Sequence, residues 1–361
     1  MSTEKALVTM GADEDGFPLA AIYRTRHGFQ LEPETELEFV EAEAIDTDPP
    51  QSINEVSEVV FDDVTPPPDY ASEEPDYTDL VELLGRHAPA TMSPRAIADV
   101  LRMLSESEST HLHDENAWYR RAFSADTFLT RPPRMGRMSV LEADFLVKSL
   151  GLSQGCTVLD VGCGYGRISN LLAKRGMNVV AVDLSEDMLR HAQAVAKKSD
   201  VEIQYVLGDM RTIDYEEQFD AVISTDTSFG YFSDAQNFLT LSKMAQAVRL
   251  GGRVTIDMLC RERALVETPS RSWWEGQGCL IQEDADFDQV SSRLNIKRLL
   301  VFSDGRQNEC MISIRLYTAA ELVDLCQLAG LQLVELSGSI HEQGAYFSAS
   351  SRRLIATFQK V

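Results

Sequence analysis

Three glycines stand two residues apart directly after the strand-like run 158–161: Gly162, Gly164 and Gly166. Glycine lets a backbone turn tightly and approach a ligand that a Cβ atom would push away. A dinucleotide-binding fingerprint would need its third glycine at position 167, where this chain has Arg167. Asp160, just before the turn, adds a carboxylate that a bound phosphate would find repulsive. The stretch therefore predicts a closely fitted ligand and disfavours a pyrophosphate cofactor.

A second carboxylate follows at a chemically useful spacing. Asp183 ends the apolar run 178–183 and lies 21 residues after Gly162. A carboxylate at this distance from a glycine turn suits the two hydroxyls of a ribose. Taken alone, Asp183 or Asp209 is more often a helix cap or a surface carboxylate, so the prediction depends on the order of several motifs along the chain.

The elements that must position these residues alternate between short β-branched runs and helical stretches from Gly155 onward. This alternation is typical of a parallel sheet covered by helices. The runs 158–162 and 179–183 are apolar on both faces, as buried parallel strands are. After residue 269 come three strand candidates, with an Asp304-Gly305 turn between two of them, which predict an inserted antiparallel sheet over about 269–316.

The N-terminal part has a different composition. Residues 1–86 hold 22 acidic and four basic residues, so most of the net charge of −24 lies there. We expect residues 1–79 to be largely disordered, either as a solvated tail or as a docking segment for a basic protein partner. Helices are expected over 80–138, followed by a folded domain over 139–361 whose first helix starts with a capping pattern of Ser139 and Glu142.

The motif Asp160-x-Gly162-x-Gly164-x-Gly166 resembles the first motif of class I S-adenosylmethionine-dependent methyltransferases. The resemblance continues in order over residues 140–260. It implies an α/β fold: a Rossmann-like seven-stranded sheet with helices on both faces, here with the inserted antiparallel sheet and an N-terminal helical lid. It also implies that S-adenosylmethionine is the cofactor.

The family's motifs assign cofactor contacts to several positions. By this resemblance, Asp183 accepts both ribose hydroxyls and Asp209 accepts from the adenine amino group. We expect Asp160 mainly to orient the glycine turn through backbone N–H groups, with contact to the methionine amine as the alternative. The residues implied beside the adenine are Leu184, Met188 and Met210. Thr225 precedes a loop that in the family lines the methionine part and the entrance to the acceptor site. Arg131 is a candidate partner of the cofactor carboxylate, with surface solvation as the alternative.

Three residues are candidates for catalysis. Tyr119, on a predicted aromatic helix, resembles a lid residue near the sulfonium, although a core aromatic is an equally good interpretation. Asp226 and Tyr231 follow the fourth strand and are candidates for positioning the acceptor or accepting its proton. In-line displacement needs mainly alignment of nucleophile, methyl carbon and sulfur, so a base is optional.

Composition narrows the function. The acidic balance disfavours nucleic acid as a substrate, and no apolar run is long enough to cross a membrane, so we expect a cytoplasmic protein. The six cysteines lack metal-ligand spacing, and we expect no bound metal. The sequence predicts transfer of the methyl group to a small-molecule acceptor. Two alternatives stay open: attack on the aminobutyrate chain, which releases methylthioadenosine, and a S-adenosylmethionine-binding protein that docks a partner.

Overall fold

The computed structural model describes residues 118–123, 136–268, 270–276 and 278–361. The predictions for the acidic segment 1–79 and for the helices before residue 118 lie outside the described residues, as does Arg131. The numbering of helices and strands below follows the described part of the chain.

A seven-stranded sheet forms the centre of the fold. Its strands are β1 (Thr157–Val161), β2 (Asn178–Asp183), β3 (Gln204–Leu207), β4 (Phe219–Ser224), β5 (Val248–Leu259), β10 (Leu331–Ser337) and β11 (Arg353–Lys360). Their order is β10-β11-β5-β4-β1-β2-β3, and only the pairings of β11 with β10 and β5 are antiparallel. The chain runs from β1 outward to β3 and then returns to place β4 beside β1. This reversal is the switch point at which open α/β sheets bind ligands.

Helices cover both faces of the sheet, as the sequence predicts. They are α1 (Trp118–Ala122), α2 (Arg137–Leu150), α3 (Arg167–Lys174), α4 (Glu186–Lys198), α5 (Asp234–Ala247), α6 (Arg261–Glu267) and α7 (Ala319–Leu328). Val158 of β1 packs in one core with α2, α3 and α4, whereas Leu159 packs in the other core with α5 and α7. This alternation explains why β1 is apolar on both faces. The short helix α6 was not predicted.

The inserted antiparallel sheet is also confirmed. It consists of β6 (Arg271–Gly276), β7 (Cys279–Asp288), β8 (Arg293–Phe302) and β9 (Gln307–Arg315), paired in that order. The predicted Asp304-Gly305 turn joins β8 to β9, with Gly305 at φ 86°. Three residues of this sheet are buried in the same core as α5: Leu294, Ile312 and Ile314. One face of the inserted sheet therefore packs against the core of the seven-stranded sheet.

The capping pattern predicted for Ser139 and Glu142 is wrong. Helix α2 begins at Arg137, two residues earlier, and its N-cap residue Gly136 makes no side-chain cap. Ser139 and Glu142 therefore lie inside the helix on its buried side. There the guanidinium of Arg167 donates to the Ser139 hydroxyl (3.1 Å) and to the Glu142 carboxylate (2.5 Å). The spacing serves an ion pair between helices instead of a cap.

No helix in the described part of the chain combines the length and apolarity that crossing a membrane requires. The six cysteines are free thiols. Within the described ranges, His, Cys, Asp and Glu side chains form no cluster of three or more that could hold a metal ion.

Candidate functional site

The glycine turn leaves β1 at the switch point and is tied to the neighbouring strand. The backbone N–H groups of Gly162 and Cys163 both donate to the Val182 carbonyl of β2, at 2.9 and 3.1 Å. Gly162 adopts φ 75°, and a Cβ atom there would lie 2.9 Å from the Cβ of Ser228. Only glycine fits this conformation in this space. The turn therefore presents bare backbone at the carboxyl edge of the sheet.

Asp183 ends β2 beside this turn with a fixed carboxylate. Its Oδ2 accepts from the Gly164 backbone N–H (2.7 Å) and its Oδ1 from the Ser185 N–H (2.9 Å). Burial raises the pKa of Asp183, although these backbone donors act in the opposite direction. Each carboxylate oxygen can accept more than one hydrogen bond. Asp183 thus retains the capacity to accept from the hydroxyls of a bound ribose.

Asp160 is buried on β1, with 2% of its surface exposed. Its Oδ2 accepts from the Ser169 hydroxyl at 2.5 Å, and its Oδ1 has no hydrogen-bond partner among the described residues. Burial raises the pKa of Asp160 to about 6, and the nearby carboxylate of Asp183 acts in the same direction. The sequence suggested that Asp160 orients the turn through backbone N–H groups. In the structure the hydrogen-bond donor to the Asp160 carboxylate is the hydroxyl of Ser169, a residue of α3.

Arg211 forms an ion pair with Asp209, and the sequence analysis did not predict this partner. It is 2% exposed, and its guanidinium donates to both oxygens of Asp209, at 3.0 and 2.6 Å. The Cζ atom lies 4.2 Å from the ring centre of Phe232, and one nitrogen donates to the Tyr119 hydroxyl at 3.0 Å. The Asp-Met-Arg spacing after β3 is the signal that would have indicated this pair.

The apolar residues predicted beside the adenine gather around the glycine turn. Met188 is buried with its sulfur 3.5 Å from the position of a Cβ on Gly164, and the Cε of Met210 is 3.2 Å from that of Gly162. Leu184 is half-buried next to Asp183. The fold therefore brings Met188 of α4 and Met210 of the loop after β3 against the turn.

The loop after β4 contains the predicted acceptor-side residues. Thr225 is buried, and Asp226 is exposed with φ 56°. The ring of Tyr231 stacks on Phe123 at 5.3 Å. Burial and the carboxylate of Asp226 raise the pKa of Tyr231, so its hydroxyl keeps its proton at neutral pH. Tyr231 can thus orient a bound group but is a poor proton acceptor.

Helix α1 contacts the loop after β4 through two aromatic residues. Tyr119 lies beside Arg211 and Phe232, with ring centres 5.2 Å apart for the aromatic pair. Trp118 contacts Tyr231 of the same loop, at 5.2 Å between ring centres. Tyr119 thus joins this loop to the Asp209–Arg211 pair, whereas Trp118 packs on Tyr231 within the loop.

Comparison with known proteins agrees with this geometry. The family model described as "Methyltransferase domain" matches residues 158–252, which contain the glycine turn, Asp183, Asp209 and the loop after β4. This match supports the resemblance to class I S-adenosylmethionine-dependent methyltransferases over residues 158–252. The cypemycin N-terminal methyltransferase of a Streptomyces species is 27% identical over 212 residues, covering 57% of this chain and 84% of the relative.

Two solved structures share the fold of this chain. The CcbJ methyltransferase from Streptomyces caelestis is 20% identical with a TM-score of 0.57, covering 68% of this chain and 98% of that chain. CalS10, an amino pentose methyltransferase from Micromonospora echinaspora, is 18% identical with a TM-score of 0.50, covering 65% and 95%. Two further curated methyltransferase relatives, 30% and 33% identical, are matched over less than half of their own length.

S-adenosylmethionine is the cofactor of this protein, and the residues at the switch point fit it. Gly162 leaves open the space that a Cβ would fill. The Asp183 carboxylate, held by the Gly164 backbone N–H, has oxygen lone pairs in a fixed direction. The unpartnered Oδ1 of buried Asp160 suits a cationic ligand, because S-adenosylmethionine carries a positive sulfonium and a positive amine. The site thus combines a bare turn with buried negative charge.

Proposed function

We propose that this protein transfers the methyl group of S-adenosylmethionine to an amine nitrogen of a small molecule. The observation that carries the proposal is a direct contact between the two halves of the site. The Ser228 hydroxyl, on the loop after β4, donates to the Gly162 carbonyl at 3.1 Å. Exposed Asp226 is two residues before Ser228 and therefore lies next to the cofactor turn.

The positions of the predicted residues that the structure describes support the following cofactor contacts. Asp183 accepts the ribose hydroxyls, and Asp209, held by Arg211, accepts the adenine amino group. Leu184, Met188 and Met210 flank the adenine. Asp160, Thr225 and the glycine turn lie along the methionine part, and Arg131, outside the described residues, stays the sequence-based candidate for its carboxylate. Bound S-adenosylmethionine supplies an electrophilic methyl group, and the task of the chain is to align it.

On the acceptor side, the chain has to hold the nucleophile in line with the methyl group and to exclude water. The Asp226 carboxylate attracts an amine and accepts its hydrogen bond, while the protonated Tyr231 hydroxyl and the ring of Trp118 restrict its position. An amine that arrives neutral needs no base for the displacement, so the carboxylate acts by positioning. The predicted role of Tyr119 moves from the sulfonium to the adenine end, beside Arg211.

The names of two similar proteins support an amine acceptor: an N-terminal methyltransferase and an amino pentose methyltransferase. The inserted sheet supports a small acceptor, because it packs on the core beside the loop after β4. Arg315 of β9 donates from its backbone to the Gly230 carbonyl at 2.8 Å. This contact joins the inserted sheet to the loop that contains Asp226 and Tyr231.

The test is incubation of the full-length protein with S-adenosylmethionine and matched acceptor pairs: amino sugars with their hydroxyl counterparts, and short peptides with free or acetylated amino termini. Product masses identify the methylated compound, and chromatography separates S-adenosylhomocysteine from methylthioadenosine. We expect amine-dependent S-adenosylhomocysteine. Enzyme-dependent methylthioadenosine alone would instead show attack on the aminobutyrate chain. Cofactor binding with no turnover of any acceptor would favour a partner-docking protein.

A further inference from the structure

We propose that Asp257 and Arg353 are positioning residues that hold the Asp226–Thr227 turn in a conformation it would not otherwise adopt, so that the Asp226 carboxylate faces the acceptor. This inference rests on the proposed function, because it assigns the support of an acceptor-binding residue. Arg353 lies outside the motifs by which the sequence indicated the site, and the sequence assigned Asp257 no role.

The turn requires support because two consecutive non-glycine residues have left-handed backbones. Asp226 has φ 56° and Thr227 has φ 65°. Aspartate visits this region with moderate ease, but the β-branched side chain of threonine makes Thr227 a clear outlier. Such conformations persist when surrounding contacts over-determine them, and they cluster at functional sites. A relaxed turn would point Asp226 in another direction.

Asp257, on the neighbouring strand β5, supplies these contacts. Its Oδ2 accepts from the Asp226 backbone N–H at 3.0 Å, and its backbone carbonyl accepts from the Thr227 N–H at 3.0 Å. The Thr227 hydroxyl in turn accepts from the Leu259 N–H at 3.0 Å. These three hydrogen bonds all connect the strained turn to β5, and two of them end on Asp257.

Asp257 is itself buried, with 2% of its surface exposed, and a charge there needs a partner. The guanidinium of Arg353, on β11, donates two hydrogen bonds to this carboxylate as a fork. Its Nε donates to Oδ1 at 2.6 Å, and a second nitrogen donates to Oδ2. Arg353 also pairs with Glu142 of α2, which binds Arg167 of α3. Burial lowers the pKa of Arg353, but the carboxylates of Asp257 and Glu142 have the larger effect. The pKa of Arg353 is therefore raised.

The network joins four separate elements and ends on the turn. A buried ion network is a weak source of stability, since well-packed apolar residues of similar volume are often as good. The geometry of this network fits a role in fixing the direction of Asp226, because the two donors of the Arg353 guanidinium fix the plane of the Asp257 carboxylate. That plane decides where the Asp226 N–H must lie to donate.

The first arm of the test needs no acceptor. Hydrogen exchange of the Asp226 and Thr227 amides is measured in full-length wild type and in Asp257→Asn, with Glu216→Gln as an exposed control. We expect at least tenfold faster exchange at both amides in Asp257→Asn, and unchanged exchange in β1. Arg353→Lys keeps the charge but loses the fork, so it should fall between wild type and Arg353→Met. Unchanged exchange in Asp257→Asn would overturn the proposal.

The second arm measures turnover with the acceptor found above, together with the affinity for S-adenosylmethionine. We expect Asp257→Asn to lower kcat at least tenfold while the Kd of the cofactor changes less than threefold. In the Asp226→Asn background, Asp257→Asn should lower kcat no further. An equal loss in both backgrounds would mean a general structural role and would refute positioning. If wild type methylates no acceptor, the proposed function fails, and the exchange arm alone decides whether Asp257 holds the turn.

Discussion

The hydroxyl of Ser228 donates a 3.1 Å hydrogen bond to the carbonyl of Gly162 and joins the loop after β4 to the turn after β1. The two strands are neighbours in the sheet although 66 residues separate these two positions along the chain. Gly162 has no space for a Cβ because Ser228 occupies it. The cofactor turn and the acceptor loop therefore cannot move independently at this point.

Asp183→Asn should weaken S-adenosylmethionine binding by about 1.5–3 kcal/mol, roughly 10- to 100-fold in Kd, because a charged acceptor of hydrogen bonds is lost. Thermal unfolding without cofactor is measured beside it and should also shift, because the amide nitrogen of the new side chain cannot accept from one of the two backbone donors, Gly164 or Ser185. Calorimetric titration gives the Kd. Glu216→Gln, an exposed change, should leave it unaltered, and an equal affinity in Asp183→Asn would contradict the assigned role.

Gly230→Ala should destabilise the protein by about 3 kcal/mol or more, because a Cβ there would overlap the backbone carbonyl of Arg315 in β9 at φ 107°. Gly251→Ala is the matched control. Its φ is 75°, but a Cβ would meet no described atom within 4 Å, so it should cost only about 1–2 kcal/mol. Urea unfolding measures both changes. Equal losses would show that the junction with the inserted sheet tolerates a side chain.

Asp160 should make the cofactor-free protein less stable as the pH rises. Its pKa in the folded protein is about 6, above the ordinary 3.8, so the folded state binds the proton more tightly. Its contribution to stability is therefore full below about pH 3.8 and is lost as the pH rises through about 6. Asp160→Asn does not titrate, so its advantage over wild type should grow by about 2–3 kcal/mol from pH 4 to pH 7.5. Urea unfolding at both pH values checks this, and a pH-independent difference would refute it.

Arg211→Met should cost about 3–5 kcal/mol of unfolding free energy, because Asp209 loses the partner that binds both of its oxygens. Tyr119→Phe removes one hydrogen bond and should cost about 0.5–1.5 kcal/mol. The double variant should lose less than the sum of the two, since both changes remove the same contact. Urea denaturation of the four proteins gives the coupling energy. Strict additivity would show that the Tyr119 hydroxyl does not depend on Arg211.

Much of the fold and of the cofactor side could be predicted from sequence because the determinants are local. Buried strands are recognisable as short apolar runs, and the glycine turn needs only residues that are adjacent along the chain. Asp183 stands at the end of such a run, which places it at the carboxyl edge of the sheet. The capping pattern of Ser139 and Glu142 failed for the same reason, since a local pattern does not reveal that the helix starts two residues earlier and buries both side chains.

The sequence alone determined the alternation of strands and helices along the chain, the bare turn at Gly162 and the carboxylate at Asp183, because backbone preference and burial periodicity act between near neighbours in the chain. Only the tertiary structure decided the partners of the charged groups. Arg353 meets Glu142 across 211 positions and Asp257 across 96, and Arg211 reaches Tyr119 across 92. An ion pair requires two groups within a few ångströms, and that distance is set by the packing of strands and helices rather than by residue spacing.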